Sequence, residues 1–143
     1  MAKRILVPLD RDERSMSVLP LVADTARGSG AAVRLLNVAP VPEERVAQDG
    51  RIVAYASQEM ERVELKRLAF LKEAEAQLDG VPVESVVRFG DPVEEILREA
   101  NAYGADLIAV RTSGSGWLSH LQRRVADRLS HKADVPVMVL AER

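Results

Sequence analysis

The feature that most constrains this chain is an alternation. Short apolar runs rich in Val, Ile and Leu are each followed by a longer stretch whose apolar residues recur at helical spacing. Arg4-Ile5-Leu6-Val7-Pro8-Leu9, ending in Asp10, reads as a buried strand. Ser17 can cap a helix with Pro20 in its first turn; Val18, Leu19, Val22 and Ala26 then share one face, and Gly28 with Gly30 ends it. Residues 32–38 form a second strand. Residues 40–51, with two prolines, a glycine and several charges, read as an exposed loop. A long helix follows from about Val53 to Leu78, with Ala56, Met60, Val63, Phe70, Ala74 and Leu78 inward and Asp79-Gly80 closing it. Its outer face is charged, but the apolar pattern is too short and broken for a coiled coil.

Residues 81–88 alternate as a third strand with one exposed face. Asp91 caps a helix with Pro92 at its first position, and Val93, Ile96, Leu97 and Ala100 form its buried stripe. Residues 105–110, apolar but for Asp106, are expected as a central parallel strand. A loop over 112–116, a helix from about Leu118 to Lys132 and a last strand from Val135 to Leu140 complete the pattern. Strands alternating with helices require βαβ crossovers. The expectation is a single α/β domain over residues 1–143: an open, doubly wound, five-stranded, mainly parallel sheet of Rossmann-like type, with helices on both faces.

Composition narrows the function. The chain has 143 residues, enough for one domain and not comfortably for two. It has no cysteine, which excludes a thiol nucleophile, a disulfide scaffold and a zinc–thiolate site. Sixteen Arg and four Lys oppose 22 acidic residues, so nucleic acid and anionic membranes are not expected partners. No apolar run is long enough to span a bilayer, and no signal-peptide core follows Met1-Ala2-Lys3-Arg4; a cytoplasmic location is expected.

In a doubly wound sheet, ligands bind beyond the carboxyl ends of the strands, where the strand order switches. Three segments converge there: Pro8-Leu9-Asp10, Asn37-Val38-Ala39, and residues 110–116, from Val110 and Arg111 through Gly114, Ser115 and Gly116. The last is rich in small residues and leads into a helix, an arrangement that can offer backbone N–H groups to a phosphate. The same pattern also serves as a plain connection.

The order of elements and several strings resemble the universal stress protein family over essentially the whole chain. They are Ile5-Leu6-Val7-Pro8-Leu9-Asp10, Leu35-Leu36-Asn37-Val38, Gly90-Asp91-Pro92 and Ala105-Asp106-Leu107-Ile108. Toward the C-terminus, Gly114-Ser115-Gly116, Val125-Ala126-Asp127-Arg128-Leu129 and Asp134-Val135-Pro136-Val137-Met138-Val139 continue the likeness. The resemblance implies the adenine nucleotide alpha hydrolase-like form of the fold. It also implies a division, since some members bind ATP and others do not. The binders carry one glycine at the end of the fourth strand, a second after two residues, and a Gly-Ser or Gly-Thr after nine more. Here those positions hold Arg111, Gly114 and Arg124-Val125, or Arg123-Arg124 with a one-residue gap. Any side chain at such a glycine occupies space a phosphate would need.

Two readings follow. The arginines fill the pocket or pair with Asp10 and Asp12, and ATP binding, with its magnesium, is lost or strongly weakened. Alternatively, their guanidinium groups replace backbone amides as phosphate donors, giving an ATP or AMP sensor or a slow ATPase. The first is the expectation: a non-enzymatic stress-response protein with a degenerate cleft, no catalytic residue, no metal site and an unidentified protein partner. By the resemblance, Asp10 meets the adenosine part of a ligand, and Val38 meets the base through its backbone. The last strand implies a homodimer, because in the family it pairs with its own copy; Val135, Val137, Met138, Val139 and Leu140 are the interface candidates.

Other chemistry fits less well. His120 and His131 share a helix face but stand too far apart to grip one metal. Ser113 and Ser115 lack the Gly-x-Ser-x-Gly elbow, and Asp106 precedes its strand, so a serine hydrolase is not expected. A phosphoacceptor receiver needs an aspartate where Arg88-Phe89 stands and a lysine after the fifth strand, where the chain has Glu142-Arg143.

Overall fold

A computed structural model describes residues 3–10, 13–42, 45–111, 128–129 and 131–140. Five strands, β1 (Arg4–Pro8), β2 (Ala32–Ala39), β5 (Val83–Phe89), β6 (Leu107–Arg111) and β7 (Val137–Leu140), form one sheet in the order β5-β2-β1-β6-β7. Every pairing in it is parallel. The expected α/β sheet is therefore present, with the switch in strand order between β1 and β6. Residues 105–110 supply an inner strand, but the middle of the sheet is β1.

Strand alternation sends residues to two cores. Ile5, Val7, Leu9, Val33 and Leu35 are buried against α1 (Leu19–Ser29) and α2 (Ala56–Glu75), through Leu19, Val22, Ala26, Leu71 and Ala74. Leu6, Leu36, Val38, Ile108 and Val110 face the other way, onto Val93, Ile96 and Ala100 of α3 (Pro92–Tyr103) and onto Leu129. Burying each such Val, Leu or Ile contributes about 1.5–3 kcal/mol relative to exposure.

The helix boundaries follow local chemistry. The carboxylate of Asp91 accepts the Glu94 N–H at 3.0 Å, and Pro92 sits where no N–H is needed, so α3 starts as expected. Gly30 closes α1 at φ 71°, its N–H bonded to the Ala26 carbonyl. Several expectations need correction. Ser17 does not cap α1: Glu13–Val18 form a 3₁₀ turn that runs into the helix, and the cap position is Val18, with no side-chain bond. Residues 40–51 are not all loop, because β3 (Arg45–Val46) pairs antiparallel with β4 (Ile52–Ala54). That hairpin delays α2 to Ala56, and three turn residues separate its end from Asp79. Finally, β5 shows no clean alternation; only Glu84 is exposed, since the strand is an edge covered on both faces.

The buried side of α2 also differs from the expected stripe. Ala56, Met60 and Val63 are half-buried, while Arg67, Leu71 and Ala74 turn fully inward. Of the last helix, only Arg128, Leu129, His131 and Lys132 lie among the described residues, and they are helical.

Candidate functional site at the carboxyl edge of the sheet

The carboxyl ends of β1, β2 and β6 bring together Pro8, Leu9, Asp10, Val38, Val110 and Arg111, six of the residues singled out from the sequence. All are buried, with Asp10 at 0% exposure and Arg111 at 5%. Pairing of Ile5 with Leu107 and Leu6 with Ile108 sets the register; continued along the strands, it carries Leu9 beside Arg111. A carboxylate and a guanidinium thus leave the two strands that flank the switch point within one residue of each other. Neither charge could be removed from water without an opposite charge or polar groups nearby.

The residue before Asp10 is held through both its backbone polar groups. The Leu9 N–H donates to the Leu36 carbonyl at 2.8 Å, and the Leu9 carbonyl accepts from Asn37 Nδ2 at 2.8 Å. Asn37 is fully buried, and its Oδ1 accepts from Nη1 of the buried Arg67 at 2.7 Å. One amide therefore ties α2 to the turn that presents Asp10. On the next strand, the Gly90 N–H donates to the Ala39 carbonyl at 2.9 Å, closing the end of β2.

Arg67 was not evident as a candidate from its charge, yet the sequence carried a signal. Positions 67, 71, 74 and 78 follow the i, i+4, i+7, i+11 spacing of a buried stripe, and an arginine within such a stripe needs a polar partner inside. Asn37, in a run otherwise apolar, is that partner.

Gly114, Ser115, Gly116, Arg123, Arg124 and Val125 lie outside the described residues, as do Asp12, Ser113 and His120. The sequence model of the universal stress protein family matches residues 1–141. The chain belongs to the universal stress protein family.

Solved structures of such proteins share its fold. A universal stress protein in complex with cAMP superposes with a TM-score of 0.71 at 17% identity, covering 98% of this chain and 97% of that one. A universal stress protein family member from Burkholderia pseudomallei gives 0.71 at 22% identity, covering 96% and 95%. The universal stress protein from Archaeoglobus fulgidus in complex with dAMP gives 0.60 at 18%, covering 96% of each chain. Identities this low speak for the fold alone. No curated protein matches.

For this universal stress protein, the dimer candidates divide. Among the described residues β7 is an edge strand, bonded to β6 alone. Val135, Val137 and Met138 are half-buried and pack inward, while Val139 is exposed. The Leu140 side chain lies outside the described residues.

Proposed function

We propose that this universal stress protein is a non-enzymatic, homodimeric stress-response protein whose adenine-nucleotide cleft is occupied by its own Arg111, and which acts through contacts with a protein partner. The burial of Arg111, 5% exposed at the switch point beside Asp10, is the observation that carries the reading. A guanidinium there takes the volume that a glycine would leave to phosphate, and it brings a charge that the neighbouring Asp10 can answer. The edge position of β7 supports pairing with a second copy, since an uncovered parallel edge invites another strand. Among the described residues no helix is long and apolar enough to cross a membrane; with the composition, this supports a cytoplasmic location.

A second reading has one observation in its favour: two structures with this fold hold cAMP and dAMP. Under it, arginines make the phosphate contacts and the protein is a nucleotide sensor or slow ATPase.

Calorimetric titration with Mg-ATP separates the two, using the parent, Arg111→Ala and Arg124→Gly. No saturable heat in the parent, with binding appearing in Arg111→Ala or Arg124→Gly, is the expected result. Micromolar binding in the parent that Arg111→Ala weakens would overturn the closed-cleft reading in favour of the sensor.

A further inference from the structure

At the opposite, amino-terminal end of the sheet lies an open groove of about 460 Å³, within the range of small-molecule sites. Ala32, Pro82 and Ala102 give it apolar surface, Val33 and Val83 also line it although their side chains pack on the α1–α2 side of the sheet, and Arg4, Arg34, Glu84 and Tyr103 supply its polar groups. The Arg34 guanidinium lies 4.2 Å from the Tyr103 ring centre and that of Arg4 lies 5.7 Å away, so the ring sits against two cations.

The two arginines differ in their remaining capacity. Arg34 donates from Nε and Nη2 to Glu84 Oε1 and from Nη1 to the buried Glu99, which also accepts from Arg88. Its charge and the Glu84 charge answer each other. Arg4 makes no salt bridge among the described residues: Nη1 donates to the Tyr103 carbonyl at 2.8 Å, and Nε and Nη2 have no hydrogen bond there. Asp106 accepts the backbone N–H groups of Lys3 and Arg4 at one oxygen, Oδ2, and its charge is felt by the Arg4 guanidinium without a salt bridge between them. The Tyr103 hydroxyl likewise makes no hydrogen bond among the described residues.

We propose that this groove is a second ligand site, independent of the nucleotide cleft, that takes a small organic anion: a carboxylate or phosphate monoester on a compact apolar body. The Nε–Nη2 edge of Arg4 is a planar fork suited to two oxygens of one anion, and the Tyr103 hydroxyl adds a third donor. Burial first, and then the Glu84 charge, hold that hydroxyl above the ordinary phenol range, so it stays a neutral donor at physiological pH. The apolar surface takes the body of the ligand, and the Arg34–Glu84 pair closes one flank without adding net charge.

Two-dimensional amide NMR of the whole chain tests this, with phenyl phosphate and benzoate as probes. The expected result is saturable movement of the Val33, Glu84 and Tyr103 amides, with a dissociation constant of roughly a millimolar for so small a ligand. Phenyl phosphate alone would assign the phosphate class and benzoate alone the carboxylate class. Arg4→Lys keeps the charge but loses the fork, and weakens binding about fivefold to tenfold; Tyr103→Phe weakens it about threefold. Saturating Mg-ATP leaves the probe affinity unchanged. The proposal is overturned if neither probe moves these amides saturably at tens of millimolar. Shifts that are indifferent to Arg4→Lys, or that centre on Leu9, Asn37 and Arg111, would overturn it equally.

Discussion

Arg67 donates to the side-chain carbonyl of Asn37 at 2.7 Å, and the same amide donates to the Leu9 carbonyl at 2.8 Å, so a helix holds a strand end through one buried side chain. Removing either member strands polar groups away from water. Arg67→Met, which keeps much of the apolar stem, should lower stability by about 1–3 kcal/mol. Asn37→Ala strands both neighbours and should cost more, about 2–4 kcal/mol. The double variant should cost less than the sum, because the second change removes a group the first has already left unsatisfied. Urea unfolding of the four proteins measures this; strict additivity would mean the relay has no energetic coupling.

Gly90 follows β5 at φ 144°, a conformation that residues with a side chain rarely adopt, and a Cβ there would stand 3.2 Å from Cγ of the buried Glu95. Gly90→Ala should therefore destabilise by about 1–3 kcal/mol. The check is again the urea midpoint, with Gly50→Ala as a control for backbone strain alone, since a Cβ at Gly50 meets nothing within 4 Å. Equal losses at both positions would mean that the contact with Glu95 contributes nothing.

Fold and site were legible in the sequence to different depths. Strands β1, β2 and β6 stood out because a buried parallel strand is a short run of Val, Ile and Leu bounded by polar punctuation. Asp91-Pro92 announced α3 through its own cap chemistry. The hairpin of Arg45–Val46 and Ile52–Ala54 was hidden: two short pairing segments flanked by charges and glycine look like loop until they meet. Arg67, Glu95 and Glu99 were missed for a related reason. Charge predicts exposure on average, and only their partners, Asn37, Arg98, Arg34 and Arg88, reveal why these three are buried. Asp10 and Arg111 were found because parallel strands bring their carboxyl ends to one edge of the sheet and the family resemblance pointed to those two positions.

Dimerisation through β7 makes a direct prediction. Val139→Lys places a charge on the exposed edge, where a second apolar strand would have to dock. Sedimentation at micromolar concentration should give twice the chain mass for the parent and the single-chain mass for the variant. A parent that sediments as one chain would refute the dimer.

Acid should weaken the amino-terminal end of the sheet. The Asp106 carboxylate accepts the Lys3 and Arg4 N–H groups at 2.9 and 3.0 Å, and those bonds hold it below the ordinary carboxylate range. A carboxyl whose folded value is depressed contributes stability that is present above its unfolded value, near 3.9, and is lost as pH falls through the folded value. The stability gap between the parent and Asp106→Asn should therefore be constant above about pH 5 and shrink below it. Urea midpoints from pH 7 to pH 2.5 measure the trend; a gap that widened on acidification would contradict it.

The position of β1 in the middle of the sheet has a consequence for how the molecule comes into being. Its two hydrogen-bonding sides are filled at different times, one by β2 soon after it in the chain, the other by β6, which follows only after α3. The bond from Lys3 to Asp106 spans 103 positions. A ribosome that has delivered the chain only as far as β5 can pair β1, β2 and β5, but it leaves an open inner edge and a solvated Asp10 where the finished protein buries that carboxylate. Such an arrangement, with distant contacts at its centre, folds late rather than piecemeal. Fragments cut anywhere between β2 and β6 should then lack that buried site altogether, instead of keeping a weakened one.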